Sequence, residues 1–395
     1  MRDRPAAKHI DDLVQALGPV LWFFRESTWS KRVGDPSLCD FVAGNPHDPP
    51  LTELVDALQR SAVPRSKDHF AYMQNNEDSQ RVAAQALSAE HGIDYDPLDL
   101  TLTPGTFGAL SVVMRALIDH GDEVVFVSPP WFFYETMIMV AGGTPVRVMS
   151  EPPDFDLPLQ SIERAITPKT RAVLVNTPNN PSGRIYPPED LEKLGSILFA
   201  ASERHGRTIY LLSDESYRRI VFDGRSFTSP ARFYDATMVL YTYGKQLLAP
   251  GQRLGYIAMA PGMPDREVLR DALTLSQIVG GWQWPNNDMQ YSLPDLEKAL
   301  VDVPHLQGRR DRVVSELTSM GYELNAPEST FYILVKSPIE DDQEFTEVLA
   351  SHNVFVLPGR IFELPGYFRI SITSNDDMIE RGIPGFEKAL AQVRG

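Results

Sequence analysis

The sequence predicts an α/β fold: a large domain built on a mainly parallel sheet flanked by helices, joined to a smaller α+β C-terminal domain. Two observations carry this expectation. Between residues 123 and 241, short β-branched runs alternate with longer stretches of helical period. That is the pattern of strands buried in a sheet that helices cover. After about residue 295 the texture changes to long helical stretches with short strands between them. The 395 residues leave room for two or three domains, or one large domain with an accessory lobe. We therefore expect residues 1–45 to form an N-terminal arm and part of the small domain, 46–295 the large domain, and 296–395 the small one.

In the large domain, strands are expected at Glu123–Val127, Ala172–Val175, Thr208–Leu212 and Met238–Tyr241, with helices over Thr106–Ile118 and Pro188–Arg204. In the small domain, helices are expected over Leu296–Met320, Gln343–His352 and Asp376–Val393. Its strands are expected at Phe331–Val335, Phe355–Leu357 and Phe368–Ile372. The 32 prolines cluster between these runs, which fits a chain of many short elements separated by defined turns.

Composition narrows the function. Hydrophobic residues make up 43% and charged residues 23%, so a packed core rather than disorder is expected. The net charge is −16, which argues against a general nucleic-acid binder or a protein held to an anionic membrane. It leaves room for an anionic ligand in a local basic pocket. The one cysteine, Cys39, has no intrachain partner for a disulfide. The charged first residues do not read as an export signal, and a cytoplasmic location is the expectation. The eight histidines show no metal-ligand spacing, so no metal is expected. The acidic run at 340–343 reads as solvated surface.

Three predicted strands run into polar clusters: Asn176-Thr177-Pro178-Asn179-Asn180-Pro181-Ser182-Gly183, Ser213-Asp214-Glu215-Ser216-Tyr217 and Thr242-Tyr243-Gly244-Lys245. Open α/β sheets bind ligands outside the carboxyl ends of their strands, so these groups converge on one predicted crevice. A lysine amine there can form a Schiff base with an aldehyde. A carboxylate can keep a pyridine nitrogen protonated, so that the ring accepts electrons. Asn and Tyr can hydrogen-bond a phenolate oxygen. A phosphate needs backbone donors and a cation. The turn Thr103-Pro104-Gly105-Thr106-Phe107-Gly108 opens a predicted helix that can supply the donors, and Arg253 can supply the cation. The implied ligand is pyridoxal 5′-phosphate.

From about Phe41 to its C-terminus, the chain resembles the fold-type-I, class I/II (aspartate aminotransferase-like) family of pyridoxal-phosphate-dependent aminotransferases. The resemblance rests on Asn180-Pro181-Ser182-Gly183, Asp214-Glu215-Ser216-Tyr217, Thr242 and Lys245 with Arg253 eight residues later, Pro129-Pro130-Trp131-Phe132-Phe133-Tyr134, and Phe368-Arg369-Ile370-Ser371. It implies that Lys245, Asp214 and Tyr217 are catalytic. It further implies that Gly105, Thr106, Phe107, Trp131, Asn176, Asn180, Thr242 and Arg253 hold the cofactor with them. Gly44, Asn180 and Arg369 would meet the substrate, with Arg369 gripping its α-carboxylate. The resemblance also implies a homodimer in which Tyr72 reaches the phosphate in the partner's site.

The implied reaction moves an amino group between an α-amino acid and a 2-oxo acid. Two other readings stay open at this point. The same cofactor serves β- or γ-elimination and replacement, C–C bond formation or oxidation of an amino acid. A binding module that keeps the fold without catalysis is a third reading, against which stand the retained Lys245 and Asp214. Two departures from the family pattern, the bulky polar Gln246 and the segment 280–287, are expected near the site, where they would alter the substrate or the outcome.

Overall fold

The computed structural model describes residues 7–281 and 283–395. Its twelve strands are, in chain order, β1 (Cys39–Asp40), β2 (Leu100–Thr103), β3 (Glu123–Ser128), β4 (Thr144–Met149), β5 (Thr170–Asn176), β6 (Tyr210–Asp214), β7 (Thr237–Thr242), β8 (Gly255–Met259), β9 (Tyr332–Lys336), β10 (Val354–Phe355), β11 (Leu357–Pro358) and β12 (Tyr367–Ser371). Seven of them form one sheet in the order β2-β8-β7-β6-β5-β3-β4. Only β8 runs against its neighbours, so the sheet is mainly parallel, as expected. Its central strands β6 and β7 are buried along their whole length, and β5 is buried except at Arg171. This explains why they read as continuous apolar runs rather than alternating ones.

The helices Gly105–Leu117 and Pro188–His205 lie over the sheet. Leu191, Leu194 and Leu198 come from one face of the second and join Val173, Leu211 and Leu212 of the strands in the core. Gly206 ends that helix in the left-handed conformation at φ +61, the usual glycine stop. Past the sheet, β9, β11 and β12 form a second, antiparallel sheet, and β1 of the N-terminal segment pairs in parallel with β10. A separate core gathers here around Phe331, Phe345, Phe368 and Phe386.

Several expectations need correction. The stretch Leu296–Met320 is not one helix: a helix ends at Leu296 and another starts at Val303, where Asp302 caps it and Pro304 sits in its first turn. The expected strand Phe355–Leu357 is two short strands that pair with different partners, β10 with β1 and β11 with β12. The β6 strand runs on through Asp214, which is therefore its last residue and not the start of a loop. The acidic run at 340–343 is not uniformly solvated. Asp342 is fully buried and accepts hydrogen bonds from the Arg360 backbone and guanidinium. Among the described residues, no helix is long and apolar enough to cross a membrane.

Candidate active site

Asn176, Asp214 and Thr242 are the last residues of β5, β6 and β7, and Asn176 and Asp214 are direct partners in the register. They open onto a cavity of about 230 Å³. Thr242 also caps the one-turn helix Tyr243–Gln246, its Oγ1 accepting from the Gly244 N–H at 3.3 Å. That turn carries Lys245 into the cavity, with Nζ 5.6 Å from the Tyr217 ring centre and 5.5 Å from that of Phe331.

Asp214 is held on both oxygens. Oδ2 accepts from the Tyr134 hydroxyl at 2.6 Å, and Oδ1 accepts from the Ser216 hydroxyl at 2.6 Å and its N–H at 3.1 Å. Since the Ser216 proton is committed there, the Thr106 hydroxyl is the donor in its 2.9 Å contact with Ser216 Oγ. Burial pushes the Asp214 carboxyl above its ordinary pKa, opposed by the hydrogen bonds from Ser216 and Tyr134 and by the Lys245 charge. Asn176 donates to the Asp214 carbonyl at 2.9 Å and accepts the Asn180 N–H at 2.7 Å, which fixes the loop between them. Asn180 Oδ1 in turn accepts from Arg369 Nη1 at 2.8 Å.

Arg369 is a buried cation with no counter-ion among the described residues. Its Nη2 donates to the Val42 carbonyl at 3.3 Å, its Nε has no hydrogen-bond partner, and its guanidinium lies 3.8 Å from the Tyr332 ring centre. Burial lowers its pKa, yet a guanidinium stays charged in protein. Burial, and then the neighbouring Tyr332, whose ring centre lies 6.0 Å away, push Tyr217 well above the ordinary tyrosine value. Burial also pushes Tyr332 up, but Lys245 and Arg369 pull it down and prevail.

Two glycines are required by space. A Cβ on Gly44 would lie 2.5 Å from the Tyr332 hydroxyl and 2.6 Å from the Phe331 ring. At Gly105, φ is +74 and a Cβ would lie 2.8 Å from Arg253 Nη2 and 3.2 Å from Thr242 Oγ1. Arg253 itself stands at the rim, where Nη1 donates to the Pro250 carbonyl at 2.7 Å. Trp131 lines the wall, edge-on to Phe107 with ring centres 4.9 Å apart.

The cavity thus holds three cations (Lys245, Arg253 and Arg369) and one carboxylate, Asp214. Among the described residues, no carboxylate forms an ion pair with any of the three cations. In a chain of net charge −16 this is a local positive site built to receive anions.

Twelve of the fourteen residues singled out in the sequence line this cavity: Gly44, Thr106, Phe107, Trp131, Asn176, Asn180, Asp214, Tyr217, Thr242, Lys245, Arg253 and Arg369. Gly105 backs it through the Arg253 contact. Tyr72 lies outside it, fully exposed in the single chain. Tyr134, Ser216 and Tyr332 were not singled out. The first two sit inside quoted sequence elements, but nothing in the sequence says that their hydroxyls turn to Asp214. Tyr332 begins β9, far along the chain, and only the fold brings it in.

Gln246 is corrected: it faces away from the cavity. Its amide nitrogen donates to the Leu296 and Ala299 carbonyls, and its oxygen accepts from Arg219 and Tyr241. No described residue of 280–287 lines the cavity either. Gln283 and Pro285 accept side-chain hydrogen bonds, Asn286 caps a helix, and Asn287 donates to the His69 and Ala71 carbonyls. Trp282 lies outside the described residues. Among the described residues, no group of His, Cys, Asp and Glu is placed to hold a metal ion.

The family described as aminotransferase class I and II matches residues 36–385. The chain is 30% identical to an aspartate/prephenate aminotransferase of Thermus thermophilus, over 90% of this chain and 92% of the relative. It is 28% identical to an aromatic-amino-acid aminotransferase of Thermococcus litoralis, over 87% of this chain and 89% of that one. The crystal structure of an aminotransferase from Eubacterium rectale superposes with a TM-score of 0.90 at 27% identity, covering all of both chains. The family match and the relatives support amino-group transfer over elimination or oxidation, and the chain belongs to the class I and II aminotransferase family.

Proposed function

We propose that this aminotransferase holds pyridoxal 5′-phosphate in the cavity described above, with Lys245 as the residue that carries it and moves the reacting proton. The observation that carries this reading is the set of three cations without carboxylate partners, gathered around one buried carboxylate. The donor set fits the group. Arg253, Thr242, Thr106 and the amides at the start of the helix Gly105–Leu117 suit a phosphate, beside a glycine whose missing Cβ leaves space against Arg253. Asp214, held by Tyr134 and Ser216, suits a protonated ring nitrogen. Asn180 and Tyr217 suit the ring oxygen, and Trp131 and Phe107 present aromatic surface. When bound, the cofactor supplies an aldehyde that links to amines and an electron-accepting ring.

The chain's own residues do the rest. Arg369, already fixed by Asn180 and Val42, keeps its unpartnered Nε free for the substrate α-carboxylate, which sets the orientation of the α-carbon. Gly44 leaves room at the substrate's edge. Lys245, on a short turn over the Tyr217 and Phe331 rings, takes the proton from the α-carbon and returns it elsewhere as general base and acid. The substrates are an α-amino acid and a 2-oxo acid, and the functional unit is a homodimer with Tyr72 serving the neighbouring site.

The test is chemical. Protein loaded with pyridoxal phosphate is reduced with borohydride, digested and analysed by mass spectrometry. The label is expected on the peptide containing Lys245, and label on another lysine overturns the reading. The loaded protein is also expected to lose its visible colour with an amino acid alone and to regain it with a 2-oxo acid.

A further inference from the structure

We propose that Ser216 is a positioning residue that acts through Asp214: passing on a hydrogen bond from Thr106, its hydroxyl holds the carboxylate ionised and aimed, so that the shared proton stays on the cofactor's ring nitrogen. This rests on the reading that Asp214 faces that nitrogen. The four side chains concerned, Thr106, Tyr134, Asp214 and Ser216, are buried, and their bonds to one another are all made within one chain. No second subunit is needed to complete any of them.

The local chain explains why Ser216 is placed for this task. Asp214 ends β6, and two residues separate it from Tyr217. Glu215 turns away: its Oε1 accepts from the Ser213 and Ser229 hydroxyls at 3.0 and 2.6 Å. Ser216 turns back. Its N–H and its hydroxyl both donate to Asp214 Oδ1, at 3.1 and 2.6 Å, closing a tight turn over the carboxylate. With the Tyr134 hydroxyl on Oδ2, three of about four acceptor sites on the carboxylate are taken, and the one left belongs to Oδ2. A ring N–H therefore has one oxygen to meet.

Burial makes this support necessary. It raises the Asp214 pKa, and the Ser216 hydroxyl is the largest influence against it, ahead of Tyr134 and the Lys245 charge. A carboxylate stripped of that bond is a stronger base and competes with the ring nitrogen for the proton. A neutral ring accepts electrons less well. Thr106 adds to the effect. Its hydroxyl donates to Ser216 Oγ at 2.9 Å, and a hydroxyl that accepts one hydrogen bond donates a stronger one. Thr106 is also the second residue of the helix Gly105–Leu117, so its amide is among those that suit the phosphate. Its backbone serves the phosphate end while its side chain serves the ring end.

The test uses enzyme loaded with pyridoxal phosphate isotopically labelled at the ring nitrogen, whose solid-state NMR signal separates the protonated from the unprotonated form. The protonated signal is expected in the wild-type enzyme. Ser216→Ala is expected to move that signal toward the unprotonated value and to lower kcat by about tenfold, with KM for the amino acid unchanged. Ser216→Thr keeps the hydroxyl and is expected to restore both. Thr106→Val keeps the amide; it is expected to move the signal the same way by less, and to add nothing in the Ser216→Ala background. An unmoved signal in Ser216→Ala overturns the proposal even where kcat falls, because a loss of rate alone is what a merely structural role gives. If Ser216→Ala does not fold, the same criterion applies to Thr106→Val. An unprotonated signal in the wild-type enzyme, with the cofactor bound at Lys245, overturns the placement of Asp214, and this inference falls with it.

Discussion

Asp214 and Arg369 are two buried charges with opposite circumstances, and their variants separate two roles. Asp214 is caught by Tyr134 and Ser216 so that its carboxylate has one orientation. Asp214→Asn keeps the shape but removes the charge, so cofactor retention is expected while kcat falls by about 100-fold or more. Visible absorbance after gel filtration, read beside turnover, checks this. Tyr134→Phe removes only one of the bonds holding that carboxylate and is expected to give a smaller loss, about tenfold, again with the cofactor retained. Arg369→Lys replaces a fork with a point charge. Here KM for the amino acid is expected to rise by about 10- to 100-fold with cofactor affinity unchanged, and loss of cofactor instead would move Arg369 out of the substrate site. Lys245, Asp214, Asn180 and Arg369 were legible in the sequence because their neighbours along the chain are distinctive. Tyr332 and Leu357 were not, since their place beside Arg369 is made by sheet pairing between distant segments.

At the scale of elements, the sequence marks strands better than it marks what joins them. The central strands were readable because burial on both faces demands continuous apolar runs. The edge strand β4 was not. Its residues are mostly half-buried or exposed, so no apolar run announces it. The break between Leu296 and Val303 was equally hidden, and Gln246 explains how that break is held. Its buried amide satisfies the Leu296 and Ala299 carbonyls, while the Val301 N–H donates to the Gln246 carbonyl at 2.7 Å. Gln246→Leu keeps the volume and strips the side-chain donors, leaving buried carbonyls unpaired at about 1–3 kcal/mol each. A melting temperature lower by several degrees is expected, with the specificity ratio between amino acids unchanged. A shifted ratio at unchanged stability would restore Gln246 as a specificity residue. Calorimetric melting and paired kinetic assays distinguish the two.

At the scale of the whole molecule, the surface holds an apolar set that the single chain leaves uncovered. Phe70 and Tyr72 are 65% and 102% exposed, and Leu275 and Val279 on the helix Arg266–Gly280 are 60% and 63% exposed. Large exposed apolar groups of this kind mark association surfaces. Hydrogen bonds connect the two regions through the segment that departs from the family pattern. Gln277 donates to the Gln283 carbonyl, and Asn287 donates to the carbonyls of His69 and Ala71. That segment therefore shapes the loop bearing Tyr72 rather than the cavity of its own chain. A homodimer in which this loop serves the neighbouring site accounts for both the exposure of Tyr72 and its absence from its own cavity. Complementation tests this directly. Tyr72→Phe and Lys245→Ala subunits, each poorly active alone, are mixed in equal amounts and allowed to exchange. If Tyr72 acts across the interface, one site of each mixed dimer carries both lesions and the other carries neither. Random exchange then makes half the dimers mixed, and activity is expected to recover to about a quarter of wild type. If Tyr72 acts within its own chain, every site in the mixed dimer carries one lesion, and activity stays at the mean of the two parents. That result, with exchange verified by mass spectrometry of the intact dimers, removes Tyr72 from the neighbouring site.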